Sequence, residues 1–254
     1  MLPTRFARCY TVSMSIIATP VPILKDNYAW LLRDSATGAT AIVDPADPAP
    51  VIAAIEAAGG RLDLILLTHH HADHVAGTDA VRDRFGAPVV GAAADARRLP
   101  RLDRAVTEAD TVQLGAASAR VIDTPGHTRG QINFFFADGA VLLSGDTLFS
   151  LGCGRLIEGN AAEMFASLEK LKALPDETLV CCGHEYTESN ARFALSVAPD
   201  NAALRARVAE AAAQRAAGQP TVPSTMGSER AANPFLRAPD VAAFAALRTA
   251  KDNF

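Results

Sequence analysis

One short segment constrains this chain more than any other: THHHADH at Thr68–His74. It directly follows Leu62–Leu67, an apolar run with the length of a buried strand, and it precedes a helical pattern over Val75–Phe85. Imidazole and carboxylate are side chains that bind transition metals. The segment therefore predicts a loop that presents metal ligands between the end of a strand and the start of a helix.

The spacing within this loop divides its side chains between two directions. In extended backbone, residues two apart point to the same side, so His69 and His71 can reach one metal while His70 points away. Asp73 and His74 follow where the loop enters the helix, so they can face a second point. The loop alone thus predicts two neighbouring ligand positions and leaves His70 out of both.

Three further strand-like runs end in turns that contain glycine followed by His or Asp. They are Arg120–Asp123 before Thr124-Pro125-Gly126-His127, Ala140–Leu143 before Ser144-Gly145-Asp146, and Thr178–Cys182 before Gly183-His184. Glycine lets the backbone turn sharply and lets another group approach closely. We expect these turns to carry their His and Asp side chains to the same place as the histidine-rich loop.

The side chains at these strand ends form two predicted ligand sets with one carboxylate between them. The sets are His69, His71 and His127; Asp73, His74 and His184; and Asp146 as the bridge. Imidazole and carboxylate suit zinc, and also iron or manganese, while the absence of cysteine from the sets argues against a closed structural zinc site. Two such metals, ~3.5–4 Å apart, can share a hydroxide because each lowers the pKa of bound water from ~15.7 towards ~7. The pattern indicates a two-metal hydrolytic centre.

Strand-like and helical patterns alternate over roughly the first 185 residues, which is typical of a layered α/β domain. Helices are predicted over Pro50–Ala58, Val75–Phe85 and Ala161–Leu174. The last of these begins with Asn160 as N-cap and Glu163 three residues later, a capping-box arrangement.

The pattern changes after His184. Thr187–Val197 and Asn201–Ala217 are alanine-rich and helical, with no strand-like run, and the stretch from Gly218 to Asn233 separates them from a last helix at about Pro239–Lys251. We therefore expect a catalytic domain over residues 14–185 and a smaller helical domain over 186–254. Residues 1–13 are expected to be a mobile extension, with Met14 as an alternative start.

Composition excludes several classes of protein. A formal net charge of -4 without a basic arm gives no case for nucleic acid. The longest run of Val, Leu and Ile residues, Leu64–Leu67, is far short of the ~20 apolar residues that cross a bilayer. The four cysteines form no C-x-x-C pair; they are Cys9, Cys153, Cys181 and Cys182. We expect a cytoplasmic monomer without disulfides that binds neither membrane nor nucleic acid.

Other catalytic patterns are missing. The chain has no G-x-S-x-G nucleophile elbow and no phosphate-binding P-loop. Gly152-Cys153-Gly154 is followed by no third glycine at dinucleotide spacing, so a Rossmann interpretation fails.

THHHADH resembles the T-H-x-H-x-D-H signature of the metallo-β-lactamase superfamily, which includes lactamases, lactonases, RNA nucleases, persulfide dioxygenases and glyoxalase II. Further segments across roughly residues 14–254 are similar to bacterial glyoxalase II, the hydroxyacylglutathione hydrolases. They are LKDNYAW at 24–30, IVDPAD at 42–47, GDTLFSLGCGRLIEG at 145–159, CGHEYT at 182–187, NPFLR at 233–237 and the terminal LRTAKDNF. The resemblance implies an αββα sandwich followed by a helical domain that helps to bind glutathione. It also implies hydrolysis of S-lactoylglutathione to D-lactate and glutathione, the second step of methylglyoxal detoxification.

The resemblance also implies roles for single residues. It gives the same seven metal ligands, with Asp73 also orienting the bridging hydroxide. The implied glutathione contacts are Arg155 in GCGR, Tyr186 in GHEY, and Arg248 and Lys251 near the C-terminus. Arg248 and Lys251 are three residues apart on one helical face and can hold a carboxylate by charged hydrogen bonds. Some relatives carry an aromatic residue where this chain has Ile157, so Ile157 is left out of the predicted site.

Three alternatives stand beside this hypothesis. A glutathione-persulfide dioxygenase shares the fold but needs a single iron and O₂, and the long helical tail ending in RTAKDNF argues against it. An RNA-processing nuclease of the fold is disfavoured by the charge balance. A catalytically inactive metal-binding protein would need broken ligands, and no ligand position is broken here.

Overall fold

The computed structural model describes residues 16–254, so the predictions for residues 1–13 and Met14 lie outside it. The strands are β1 Ile16–Ile23, β2 Asn27–Asp34, β3 Thr40–Val43, β4 Leu64–Leu66, β5 Val89–Ala92, β6 Arg104–Val106, β7 Thr111–Leu114, β8 Ala117–Asp123, β9 Ile132–Phe136, β10 Val141–Gly145, β11 Leu148–Phe149, β12 Gly152–Cys153, β13 Leu179–Cys182 and β14 Ser224–Thr225. The α-helices are α1 Pro48–Ala57, α2 Ala72–Val75, α3 Thr78–Phe85, α4 Ala161–Lys172, α5 Thr187–Val197, α6 Ala202–Ala216, α7 Met226–Ala232 and α8 Val241–Asp252.

Two mixed sheets form the centre of the molecule. The first has the order β1-β2-β3-β4-β5-β6, with β3 to β6 parallel. The second has the order β14-β13-β10-β9-β8-β7, in which only β10 and β13 run parallel. Three of the four parallel pairs are connected through α-helices, as for α1 between β3 and β4, or α4 between β10 and β13, while β5 and β6 are joined by a loop with one short 3-10 turn.

Buried side chains show that the sheets pack face to face with helices outside. Trp30 of the first sheet and Phe134 of the second belong to one apolar cluster between the sheets. Ile55 of α1 is buried against the outer face of the first sheet, and Leu168 of α4 against that of the second. The predicted αββα sandwich is confirmed.

Two helix predictions can be compared with the structure directly. The capping box is present, because Glu163 N donates to Asn160 Oδ1 (3.0 Å) and Asn160 N donates to the Glu163 carboxylate (2.8 Å). The helix predicted over Val75–Phe85 is confirmed over Thr78–Phe85, but it begins later than predicted, because residues 76 and 77 separate it from the short helix α2. A Cβ on Gly77 would overlap the Pro45 carbonyl oxygen, so only glycine fits at this point between the two helices.

The C-terminal region is mainly helical, and it also contains one short strand that the sequence did not indicate. Ser224 and Thr225 form β14, which pairs with β13 at the edge of the second sheet. Two residues are too few to show a period in the sequence. Within residues 16–254, no helix is both long and apolar enough to cross a membrane.

Candidate metal centre

The predicted ligands lie where strands of both sheets end. β8, β10 and β13 all run in the same direction, so the turns after them meet at one edge of the second sheet. These turns carry His127, Asp146 and His184, and the loop after β4 of the first sheet carries the histidine-rich segment. The side chains therefore converge at one end of the sandwich.

Two groups of ligand atoms form there. In the first, His71 Nδ1 lies 3.1 Å from His69 Nε2 and 3.0 Å from His127 Nε2. In the second, Asp73 Oδ2 lies 3.9 Å from His74 Nε2 and 3.5 Å from His184 Nε2. The structure thus brings together both sets of side chains that the spacing predicted.

Asp146 lies between the two groups. Its Oδ2 is 3.5 Å from His127 Nε2 in the first group and 3.4 Å from His184 Nε2 in the second. Its Oδ1 is 3.3 Å from His74 Nε2. A single buried carboxylate thus faces histidines of both groups, which is the geometry that a bridging ligand requires.

Hydrogen bonds on the outer side of the rings orient the imidazoles. The Nδ1 atom of His127 faces the Arg155 carbonyl oxygen at 2.9 Å, and that of His184 faces Asp26 Oδ1 at 3.2 Å. A carbonyl or carboxylate can only accept, so these Nδ1 atoms carry a proton and each Nε2 is left facing the centre, where it can bind a metal in its deprotonated form.

Asp44 orients the histidines of the loop Thr68–His74 in the same way, and sequence reasoning did not select it. Its Oδ2 lies 3.0 Å from His74 Nδ1 and accepts from the Thr68 hydroxyl at 2.6 Å, while Thr68 Oγ1 lies 3.0 Å from His69 Nδ1. Asp44 is buried, with a φ of 51°. Its segment, IVDPAD, supported the family resemblance, but only the fold shows that it supports two ligand rings.

Two observations test whether a cation fits this centre. His74 Nε2 and Asp146 Oδ1 are buried and lie 3.3 Å apart, yet within residues 16–254 neither atom makes a hydrogen bond of good geometry, although most buried polar atoms in proteins do. Burial lowers the pKa of His69 well below its usual range and also lowers that of His127, which favours the neutral form that binds metals. For His74, burial opposes the charged form, but Asp146 and Asp44 outweigh it and raise the pKa well above its usual range. These carboxylates favour a positive charge at this point, so the residues fit divalent metal.

The glycine turns make room for this convergence. Gly145 has a φ of +46°, and a Cβ on it would lie 2.5 Å from Thr68 Oγ1. A Cβ on Gly183 would lie 2.5 Å from Asp146 Oδ1 and 2.6 Å from His74 Cε1. A larger residue at either turn would displace a ligand or its support.

His70 lies outside both ligand groups. Its Nδ1 is 2.9 Å from Asp95 Oδ2, and its Nε2 is 3.5 Å from Glu158 Oε1. Asp95 is itself 2% exposed. The ring therefore ties the ligand loop to two neighbouring loops and does not face the centre.

A cleft of about 670 Å³ opens beside the metal centre. Its walls include the centre's His71, Asp73, His127, Asp146 and His184. The same cleft is lined by all of the predicted glutathione contacts: Arg155, Tyr186, Arg248 and Lys251. The structure thus brings the predicted substrate residues and the predicted ligands to one cavity.

Tyr186 and Arg155 border the metal centre directly. The Tyr186 ring stacks on the His184 ring, with centroids 4.5 Å apart and planes inclined by 9°. Burial and the nearby Asp26 raise the pKa of Tyr186 to about 12, so the hydroxyl keeps its proton and can donate. The Arg155 side chain is exposed to the cleft, while its carbonyl oxygen supports His127.

The two C-terminal cations, Lys251 and Arg248, differ in their burial and in their hydrogen bonds to the protein. Lys251 Nζ donates to the Ser189 carbonyl oxygen (3.1 Å), and burial together with Arg248 and Arg192 lowers the pKa of Lys251. Arg248 is 4% exposed and donates to the Cys153 carbonyl oxygen (2.9 Å) and to Asp252 Oδ1 (2.8 Å). Arg248 therefore supports the protein as well as lining the cleft.

The sequence did not identify every residue of the cleft. Arg192 of α5 lines it and adds another positive charge. Ile157, which was left out of the predicted site, also lines the cleft and is 59% exposed. Nothing distinguishes Arg192 from other surface arginines until α5 and α8 are placed side by side.

Comparison with known proteins agrees with this geometry. Residues 24–184 match the family model described as the metallo-beta-lactamase superfamily, and the chain belongs to that superfamily. Among solved structures, it is similar to ETHE1 from Myxococcus xanthus, with a TM-score of 0.70 and 26% identity over 92% of this chain and 90% of that one. The BLEG-1 B3 metallo-beta-lactamase has a TM-score of 0.67 at 25% identity, over 87% of this chain and 99% of that one.

The rest of the chain narrows the family. Residues 185–254 match the family model described as the hydroxyacylglutathione hydrolase C-terminus. The hydroxyacylglutathione hydrolase of Acidiphilium cryptum is 59% identical over 93% of this chain and 96% of its own length. That of Ruegeria pomeroyi is 51% identical over 95% of this chain and its full length. The chain belongs to the hydroxyacylglutathione hydrolase family, a family of hydrolases.

Proposed function

We propose that this protein hydrolyses S-lactoylglutathione, a 2-hydroxyacyl thioester, to D-lactate and glutathione. The observation that carries the proposal is a single cleft lined both by the predicted metal ligands and by positively charged side chains. Asp146 and members of both ligand groups line one side of it, and the cations of α5 and α8 contribute to another side. A glutathione thioester needs both, because it has a carbonyl to be attacked and carboxylates to be held.

The two ligand groups would hold two divalent ions, with Asp146 between them. Such ions supply a hydroxide at neutral pH and stabilise the negative charge that develops on a carbonyl oxygen. The protein's own part is to keep each Nε2 lone pair aimed inward, through the acceptors Asp26 and Asp44 behind the rings. Tyr186, whose hydroxyl stays protonated, can donate a hydrogen bond to bound substrate.

The helical part of the chain would hold the glutathione moiety. We propose that residues 14–185 supply the metal ligands and Arg155, and that residues 186–254 supply Tyr186, Lys251 and Arg248. Lys251 and the exposed Arg192 are the cations best placed to bind carboxylates, since Arg248 already has protein partners. Charge-assisted hydrogen bonds of this kind are the stronger ones in proteins.

A thioesterase assay on metal-analysed protein tests the proposal. We expect one glutathione thiol released per S-lactoylglutathione consumed, loss of this activity with a chelator, and its return with zinc. A metal-loaded protein that releases no thiol would contradict the proposal. Oxygen uptake on adding glutathione persulfide would instead support the dioxygenase alternative.

We propose zinc as the metal, at two ions per chain, with iron or manganese as alternatives that elemental analysis distinguishes. We also propose a cytoplasmic monomer without nucleic-acid or membrane partners. The cysteines in the described residues, Cys153, Cys181 and Cys182, are all buried and free, which is usual for a reducing compartment. Light scattering tests the oligomeric state, and cell fractionation tests the cellular location.

Replacing Lys251 by methionine should weaken substrate binding and leave the chemistry unchanged. A charged hydrogen bond is worth ~1.5–3 kcal/mol, so KM for S-lactoylglutathione should rise roughly ten- to a hundredfold. Binding of this kind is equal in the ground and transition states, so kcat and metal content should stay near the wild type. Steady-state kinetics and elemental analysis measure these quantities.

Lys172 provides the matched control for this substitution. It is a lysine of α4 that pairs with Glu169 (2.9 Å) rather than with the cleft, so Lys172→Met should leave KM unchanged. A short thioester without glutathione carboxylates should not distinguish Lys251→Met from the wild type. If the short substrate were affected as much as the full one, Lys251 would support the fold and not the substrate.

A further inference from the structure

A small hairpin forms part of the cleft beside the metal centre. β11 and β12 pair antiparallel, with Phe149 opposite Gly152, and Phe149 lines the cleft. Leu151 in the turn has a φ of 59°, a left-handed conformation that is unfavourable for a residue with a side chain. Strands of two residues do not hold such a hairpin by themselves. Its conformation must therefore be held by contacts with the rest of the protein.

Asn233 and Glu229 provide the first of these contacts. Asn233 Nδ2 donates to the Phe149 carbonyl oxygen (3.2 Å) and to the Gly152 carbonyl oxygen (3.0 Å), so one amide joins both strands. Glu229 on α7 accepts from Leu151 N (2.8 Å) and from Asn233 Nδ2 (3.0 Å). Both side chains are 0% exposed.

Side chains of two other helices also bind the backbone of the hairpin. Asn190 of α5 donates to the Ser150 carbonyl oxygen (3.1 Å), and Arg248 of α8 donates to the Cys153 carbonyl oxygen (2.9 Å). A Cβ on Gly152 would overlap the Asn190 amide, so the two are in direct contact. Buried backbone groups are costly to leave unpaired. The C-terminal region therefore determines where the hairpin lies.

The hairpin in turn supports two metal ligands. Just after it, Gly154 N donates to the Thr147 carbonyl oxygen (3.2 Å), and a Cβ on Gly154 would overlap the Asp146 carbonyl oxygen. The next residue, Arg155, accepts at its carbonyl oxygen from His127 Nδ1 (2.9 Å). A displacement of the hairpin would thus disturb both Asp146 and His127.

We propose that Asn233 is a positioning residue of the metal centre, which acts through the hairpin β11–β12 on Asp146 and His127. The inference rests on the proposed ligand roles of these two residues. It gives the C-terminal region a second task beside holding glutathione, because the affinity for metal then depends on a residue far from any ligand in the sequence.

Asn233→Ala tests this in the full-length protein, with Asn201→Ala as the matched control. Asn201 is another asparagine of the same region, and it caps α6 and donates to the Ala231 carbonyl oxygen (2.9 Å). Zinc affinity is measured by competition with a chelating dye, and the melting temperature is measured on the metal-free proteins. We expect Asn233→Ala to weaken zinc binding by ~10–100-fold, the usual effect of losing an outer support, and to lower kcat. Asn201→Ala should lower the melting temperature and keep the wild-type zinc affinity.

A purely structural role for Asn233 would give a different result. Both variants would then have a lower melting temperature and the wild-type zinc affinity, and the proposal would be overturned. If Asn233→Ala did not fold, Asn190→Ala would take its place, since it removes a single bond to the hairpin. Unchanged zinc affinity in that variant would also overturn the proposal. Because zinc binding is measured without substrate, a wild-type protein inactive on S-lactoylglutathione would contradict the proposed function and leave this comparison valid.

Discussion

Asp146→Asn should remove metal from both ligand groups and lower kcat by roughly a thousandfold or more. The Asp146 side chain is 9% exposed, and its carboxylate faces His127 of one group and both His74 and His184 of the other. Asparagine has almost the same shape but no charge, so both groups lose their shared anionic ligand. Removal of one stabiliser of a developing oxyanion costs ~10²–10³ in kcat, and this change affects every ligand group at once. Elemental analysis after gel filtration and thiol-release kinetics measure the two effects.

Asp123→Asn is the control for this change. Asp123 is a half-buried aspartate at the end of β8, and burial together with Glu108 raises its pKa, so the site already disfavours the charge. The variant should keep its metal and its turnover. An Asp146→Asn protein with two bound ions and near-normal turnover would contradict the bridging role.

The convergence of these His and Asp side chains could be predicted from the sequence because the signals for it are local. His69 and His71 are two residues apart, and the turns at Gly145 and Gly183 directly precede Asp146 and His184. Each signal needs only a strand end and the alternation of side chains. The sandwich itself follows from alternating strand and helix patterns together with the family resemblance.

The supporting residues could not be predicted because their contacts are distant in sequence. Asn233 binds the carbonyl oxygen of Phe149, 84 positions away, and Asp44 supports His74, 30 positions away. An asparagine or aspartate with such a role has no periodic or motif signal of its own. Only the fold, which places these segments side by side, shows what they bind.

The sequence also did not predict the short strand β14 or the separation of α2 from α3. β14 has two residues, and its pairing with β13 depends on where the C-terminal region packs. The helical pattern after the ligand loop is interrupted at residues 76 and 77, where the Pro45 carbonyl oxygen lies so close to Gly77 that no side chain fits. At β14 and at residues 76–77, the local sequence is compatible with more than one structure, and the packing of distant segments determines which one forms.

His71→Ala and His70→Ala should differ sharply, although the two residues are adjacent histidines of one loop. His71 Nδ1 is within 3.1 Å of ligand nitrogens on His69 and His127, so its loss removes a member of the first group. We expect metal affinity to fall by more than the ~10–100-fold that is typical of losing an outer support, and activity to fall with it. Competition with a chelating dye and thiol-release kinetics measure both quantities.

His70→Ala removes contacts to Asp95 and Glu158 instead. A hydrogen bond of this kind contributes about 0.5–1.5 kcal/mol to stability, so a lower melting temperature is expected with metal content and most of the activity kept. Melting temperatures of the metal-free proteins distinguish the loss of a metal ligand from the loss of a protein contact. Without metal, the loss of a ligand should cost little stability, whereas the loss of the Asp95 contact should cost the same stability as with metal. The His71 variant should therefore melt near the wild type when both are metal-free, and the His70 variant below it. Equal metal loss in the two variants would mean that the loop does not present alternate faces, and the assignment of His69 and His71 to one metal would then be wrong.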